Sequence, residues 1–232
     1  MKIKILGTKA NIKAGAPGHT KHSGVLVDNK LLFDIGEKEF LKYNPSYIFF
    51  THFHPDHAWF VRGNGEKVKL NAICYVPEKT ALIEGNVQAI EKSIKLNEYK
   101  ITPVPTIHSI SVKSQGYVIE KDEKRIFYSG DVAWIEKRHY PLLKNLDLVI
   151  TEGSHFRKGG MIQRHKTTGA IFGHTGIPNL VHLFKPFTRR IILTHFGSWF
   201  MKDLKEAEER IKALEEDNLI IEIAIDGKDF EV

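Results

Sequence analysis

The chain has 232 residues, long enough to bury a substantial core in one large domain or two small ones. Hydrophobic residues at 42% and charged residues at 27% are ordinary for a soluble globular protein and exclude a disordered or fibrous chain. Lys and Arg outnumber Asp and Glu by 34 to 28, a formal charge of +6 that attracts phosphates and nucleic acid without requiring them.

The opening Met1-Lys-Ile-Lys-Ile-Leu-Gly7 has no apolar segment of signal-peptide length and no stretch approaches a membrane span, so a cytoplasmic protein without membrane contact is expected. In chain order, strands are expected at 2–6, then at 24–28 and 31–34 as a hairpin through Asn29-Lys30. Further strands are expected at 47–51, 70–76, 99–107, 110–120, 125–129, 146–151, 190–194 and 219–225, with Lys121-Asp-Glu-Lys124 as a tight turn between two of them. The only cysteine, Cys74, lies within 70–76, where a buried inert thiol is the natural reading, and no intrachain disulfide is possible. Residues 77–96 begin at Pro77-Glu78 and carry Leu82, Val87, Ile90 and Ile94 at near-helical spacing, which predicts a helix; 177–185 and 201–216 are the other helices. No repeat or Pro/Ser-rich linker divides the chain, so a single domain over 1–232 is expected, of α/β (α+β) class.

The densest chemistry lies in Thr51-His-Phe-His-Pro-Asp-His57, directly after the apolar run 47–50. His52, His54, Asp56 and His57 place three imidazoles and a carboxylate where a strand ends, and Pro55 turns the chain so that neighbouring side chains can converge. Imidazole and carboxylate suit Zn, Mn, Fe and related ions, and the lack of thiolate argues against a closed structural zinc site. His108, Asp131 and His195 each follow another apolar run. Seven ligand-type residues suit two metals with a shared carboxylate better than one.

With these residues in view, the chain resembles the metallo-β-lactamase-fold hydrolases, whose H-x-H-x-D-H hallmark is matched without gaps by His52, His54, Asp56 and His57. Phe33-Asp-Ile-Gly36, His108, Ser129-Gly-Asp131 and Leu193-Thr-His195 extend the likeness in family order over nearly the whole length. The resemblance implies a four-layer αββα sandwich. It also implies that His52, His54 and His108 bind a first metal, that Asp56, His57 and His195 bind a second, and that Asp131 bridges them. Asp34 would orient an imidazole from outside. Zn is the first guess for both ions, with Mn or Fe as alternatives.

Within that superfamily the chain is most similar to the phosphodiesterase branch that includes the tRNA 3′-processing endonucleases. Leu6-Gly-Thr8, Phe33-Asp-Ile-Gly-Glu37, Asp147–Gly153, Gly173-His-Thr-Gly176 and Thr194-His-Phe-Gly197 carry that likeness. Thr151-Glu-Gly-Ser154 stands where those enzymes have His-Glu-Ala-Thr, and His174-Thr-Gly176 replaces their His-Ser-Thr. No Gly/Pro-rich arm for gripping tRNA is visible. The expectation is therefore a dinuclear phosphodiesterase or nuclease, working through a metal-bridging hydroxide on nucleic acid or a nucleotide-like phosphodiester. Lactone or thioester hydrolysis on the same fold, or a non-catalytic metal- or nucleic-acid-binding module, are the alternatives. Asp56 could orient the water, and His174 or His155 could protonate the leaving oxygen. The basic stretch 157–166, with Arg157, Lys158, Arg164 and Lys166, is expected to be a loop that contacts an anionic substrate such as RNA or DNA.

Overall fold

Apolar runs with residues buried on both faces dictate sheets covered on both sides. A computed structural model describes residues 1–62 and 67–232. The strands are β1 (Lys2–Gly7), β2 (Gly24–Val27), β3 (Leu31–Phe33), β4 (Tyr47–Phe49), β5 (Val68–Lys69), β6 (Ile73–Val76), β7 (Ile83–Glu84), β8 (Val87–Ala89) and β9 (Ile94–Leu96). They continue as β10 (Tyr99–Thr106), β11 (Ser114–Lys121), β12 (Lys124–Tyr128), β13 (Leu148–Gly153), β14 (Met161–Arg164), β15 (Ile171–His174), β16 (Arg190–Phe196), β17 (Ile220–Ile223) and β18 (Asp229–Glu231). The α-helices are α1 (Ile177–Phe184), α2 (Ser198–Lys202) and α3 (Leu204–Lys212).

Two seven-stranded sheets run in the orders β18-β1-β2-β3-β4-β6-β8 and β17-β16-β13-β12-β11-β10-β9. Alternate residues decide which layer each strand fills. Ile3, Ile5, Val25, Val27, Phe33 and Phe49 point between the sheets and meet Ile126, Tyr128, Leu148, Ile150 and Ile192 from the other side. Leu26, Leu32, Ile48 and Phe50 point outward to Phe40, Phe53 and Phe60. Phe127, Val149, Ile191 and Leu193 point outward to α1 and to Phe200, Ala207 and Ile211 of α2 and α3. The result is the expected four-layer mixed α/β sandwich, although 3-10 turns at Lys38–Tyr43 and Trp59–Arg62 occupy the outer layer of the first sheet.

Topology brings the ends of the key strands to one edge. β10, β11 and β12 reverse direction twice, and β12, β13 and β16 are then parallel, so β10, β12, β13 and β16 share a direction. β3 and β4 are likewise parallel in the opposing sheet.

Three expectations need correction. Residues 77–96 are not helical but form β7, β8 and β9. Gly85, at φ +128°, interrupts any helix, and Val87–Ala89 pairs with β6, so pairing to a neighbour overrides a near-helical spacing of apolar residues. The helix at 201–216 is two helices, broken at Asp203, which is extended at φ −154° and accepts a hydrogen bond from the Glu206 amide to cap α3. The basic stretch is no simple loop, since Met161–Arg164 pairs with Ile171–His174 as a ribbon. The turn at 121–124 is as expected, with Asp122 and Glu123 both at positive φ. Cys74 is buried and burial pushes its thiol up to about 12, consistent with an inert residue.

Between the sheets the fully buried Tyr117 donates its hydroxyl to the Phe50 carbonyl at 2.7 Å and accepts from Gln115 Nε2 at 2.8 Å. Tyr117→Phe leaves that carbonyl and amide without their partner. The expected loss is about 1–3 kcal/mol of unfolding free energy, read from urea denaturation; a loss below a few tenths would show that the contact is energetically idle.

Candidate metal centre

The turn after β4 is built by its own backbone. The His57 and Ala58 amides both donate to the His54 carbonyl, so Pro55 starts a tight reversal that swings His57 back over His52. The two rings lie 4.1 Å apart between centroids. From the second sheet, β12 runs through Ser129 into Gly130 at φ +58°, where a Cβ would come within 2.7–2.8 Å of Thr51. Only glycine allows that approach, and it delivers Asp131 to the histidines. His195 sits at a bulge, since Glu152 pairs with Thr194 and Gly153 with Phe196, and its own φ is +53°. The bulge aims the imidazole into the centre.

Three groups among the described residues could each hold an ion. One of them, Asp131, Glu152, His174 and His195, draws on two residues outside the expected seven; the other two are built from the seven alone. Of these two, His52, His54, His108 and Asp131 form one, and Asp56, His57, Asp131 and His195 the other, with Asp131 common to both. Asp131 lies 3.2 Å from His57 Nε2, 3.4 Å from His195 Nδ1, 3.5 Å from His108 Nε2 and 3.6 Å from His52 Nε2. His54 Nδ1 and His108 Nε2 are 3.0 Å apart, and His195 Nε2 is 2.9 Å from Asp56. All seven residues expected from the sequence are therefore together.

The donor set fits divalent ions on an observation independent of that count. Among the described residues, three buried side-chain polar atoms have no hydrogen-bond partner, and two of them, His52 Nε2 and Asp131 Oδ1, belong to this centre. Such atoms are costly unless something polar or charged meets them.

Outer contacts set the rings. Asp34, fully buried, lies 2.7 Å from His57 Nδ1, which directs Nε2 inward. The Gly173 carbonyl is 3.0 Å from His108 Nδ1 and Ser154 Oγ is 2.9 Å from His195 Nδ1. Burial pulls His52 well below the ordinary imidazole range and, together with the neighbouring His108 charge, takes His54 down to about 4. Neutral imidazole is the form that ligates metal. Burial opposes charge on His57 too, but Asp131 and Asp34 outweigh it and hold this ring well above the usual range. Burial would raise Asp131, yet the surrounding imidazoles, His195 foremost, keep it well below the carboxylate range.

A cavity of about 450 Å³ opens beside the clusters and is lined by His54, Asp56, Asp131, His155, His174 and His195 among others. His174 Nδ1 lies 2.8 Å from Glu152 Oε2, while Glu152 Oε1 accepts the Val132 amide at 2.6 Å. Burial works against charge on His174, but Glu152 and Asp131 outweigh it and raise it to about 9. His155 sits farther out, its ring 5.9 Å from that of His174, and burial lowers it. Glu152 and Ser154 did not emerge as site residues from the sequence, although Glu152 ends an apolar run as Asp131 and His195 do. A larger groove of about 690 Å³ between the 105–114 segment and the ribbon contains none of the seven ligand-type residues.

The basic residues lie elsewhere. Arg157 Nε donates to the Gly160 carbonyl and Arg164 Nη1 to the Gly169 carbonyl, and Arg157, Lys158, Arg164 and Lys166 are exposed. None of the four lines the 450 Å³ cavity; they mark the base and the far end of the ribbon.

Comparison with known proteins places this geometry in a family. The family model described as "Beta-lactamase superfamily domain" matches residues 41–196. No curated protein matches the chain by sequence. Among solved structures, a diphosphatase from the PhnP family superposes with TM-score 0.67 at 20% identity, covering 100% of this chain and 97% of that one. The metallo-beta-lactamase fold protein YhfI from Bacillus subtilis gives 0.65 at 16% identity over 99% and 98% of the two chains. The short form of human tRNase Z gives 0.63 at 18% over 100% and 99%. These likenesses speak to the fold. Because the family match spans well over half of the chain and takes in all seven ligand-type residues, the protein belongs to the beta-lactamase superfamily.

Proposed function

We propose that the protein is a dinuclear metal-dependent phosphodiesterase, formed as a single domain over residues 1–232. The observation that carries this reading is the pair of ligand sets sharing Asp131 beside a cavity whose wall bears the Glu152–His174 pair. Two divalent ions, when bound, supply activation of water near neutral pH and neutralise charge on a phosphoryl group. His52, His54 and His108 would hold one and Asp56, His57 and His195 the other, with Asp131 between them; Zn is the first choice, and Mn or Fe suit the same donors. The kinship with a diphosphatase and a tRNase Z in fold supports a phosphoester substrate, and RNA or DNA fits the chain's positive charge.

The chain's own residues do the remaining work. Asp56 accepts a hydrogen bond at its carboxylate and can orient a water on the open side. Glu152 fixes the Nδ1 side of His174, so Nε2 is the nitrogen free to carry a proton to the leaving oxygen. His155 lacks such a carboxylate partner, which makes His174 the proposed donor.

Metal analysis of protein purified without chelator is expected to approach two ions per chain, and chelation to stop hydrolysis of bis-p-nitrophenyl phosphate. Asp131→Ala is expected to lose both metal and turnover; full activity in that variant would remove the shared carboxylate from its role. Should the fully metallated protein cleave lactones or thioesters but no phosphodiester, the chemistry belongs to that alternative class.

A proton donor matters most when the leaving group is a poor one. His174→Ala is expected to lower kcat on an alkyl phosphodiester by about 10²–10⁴-fold while costing far less on a p-nitrophenyl ester. Glu152→Gln should follow the same pattern more weakly. Equal losses on both esters would assign His174 a structural task instead.

The ribbon's charges are proposed to meet substrate outside the cavity. Arg164→Ala combined with Lys166→Ala is expected to raise KM for a polyanionic substrate and flatten its salt dependence with metal content unchanged. An unaltered KM and salt slope would reduce the ribbon to ordinary surface.

A further inference from the structure

The cavity beside the ligand sets has a second wall that the chemistry above does not use. Trp199 lines it, only partly buried, and is held from behind. Its indole N–H donates to the Gly153 carbonyl at 2.9 Å, the Phe156 ring lies 5.2 Å away, and Phe200 meets it edge-on at 5.6 Å. The Arg210 guanidinium covers Phe156 at 4.1 Å and reaches 5.7 Å from the Trp199 ring. An indole fixed on this many sides loses little freedom when something packs on it. Met161 lines the same cavity from the ribbon and is 47% exposed, an unusual position for a methionine on a strand paired to His174. A flexible thioether and a held indole lining one cavity are both suited to contact with a flat ring. Among the described residues no lysine or arginine lines this cavity, and away from the metal edge the lining mixes the apolar Ala10, Ile12, Met161 and Trp199 with Asn11 and Ser198.

From this arrangement we propose that Trp199 and Met161 form a binding site for a planar aromatic ring carried by the phosphoester substrate, either a nucleobase or an aryl group. The inference rests on the phosphodiesterase reading for its reaction but not for its binding. A volume of about 450 Å³ holds a ligand of nucleotide size. It makes the unit recognised in the cavity one ring and one phosphoryl group, whatever lies beyond.

The test is a fluorescence titration of the metal-loaded protein, whose tryptophans are Trp59, Trp134 and Trp199, with adenosine monophosphate, phenyl phosphate and ribose 5-phosphate. Base stacking predicts that adenosine monophosphate binds roughly tenfold or more tightly than ribose 5-phosphate and quenches emission. That quench should vanish in Trp199→Phe. Phenyl phosphate binding as tightly as adenosine monophosphate identifies an aryl site, and weaker binding a nucleobase site. Met161→Ala, at an exposed position, should narrow the preference for the ring-bearing ligands without disturbing the fold. In turnover, Trp199→Ala should lower the ratio of kcat/KM for aryl over alkyl phosphodiesters by roughly tenfold. Equal affinity for adenosine monophosphate, phenyl phosphate and ribose 5-phosphate overturns the proposal, as does a quench that survives in Trp199→Phe. If ring-bearing ligands quench but no phosphodiester is cleaved, the reaction assignment falls while the ring site stands.

Discussion

The Asp34 carboxylate is the constraint on which the centre depends. It lies fully buried at the end of β3 with φ at +58°, and its two oxygens receive the Thr51 amide and hydroxyl, the Tyr128 hydroxyl and the His57 ring. Those partners come from both sheets. A buried carboxylate is tolerated only when its lone pairs are met, so this one group holds β3, β4 and β12 at the separation that brings Asp131 to His57. The backbone strain at Asp34 is modest because aspartate tolerates the left-handed region better than most residues.

Around that hub the fold divides its labour. The interior between the sheets is apolar and supplies cohesion, whereas one edge collects the polar ends of parallel strands. Burial lowers the imidazoles on the His52 and His54 side, whereas neighbouring carboxylates raise His57. The uneven distribution follows from the carboxylates: His57 lies between Asp34 and Asp131, while His52 and His54 have mainly other imidazoles beside them.

Much of this edge was legible in the sequence because the ligand-type residues follow apolar runs, four of them the same one, and a strand end is a place one can count from. His52, His54, Asp56, His57, His108, Asp131 and His195 all obeyed that rule, and the resemblance ordered them into sets. The pairing of Glu152 with His174 was not legible, since it depends on β13 and the ribbon meeting across 22 positions of chain. Nor was the Trp199 wall, where an indole in a short helix after Gly197 gives no sign of which cavity it borders. The segment 77–96 misled for a simpler reason. Short strands separated by turns can place Val87, Ile90 and Ile94 inward at intervals of three and four, and only the neighbouring strand decides between the two periods.

His195 holds a left-handed backbone conformation, which histidine tolerates better than most residues but which still favours glycine. Glycine would occupy the same bulge with ease and would bring no imidazole to the centre. At this single position, then, resistance to heat and possession of the seventh ligand pull in opposite directions. A library selected only for survival at high temperature would drift towards discarding the imidazole, and a record of which substitutions such a library accepts would trace where the fold has accepted tension for the sake of its site.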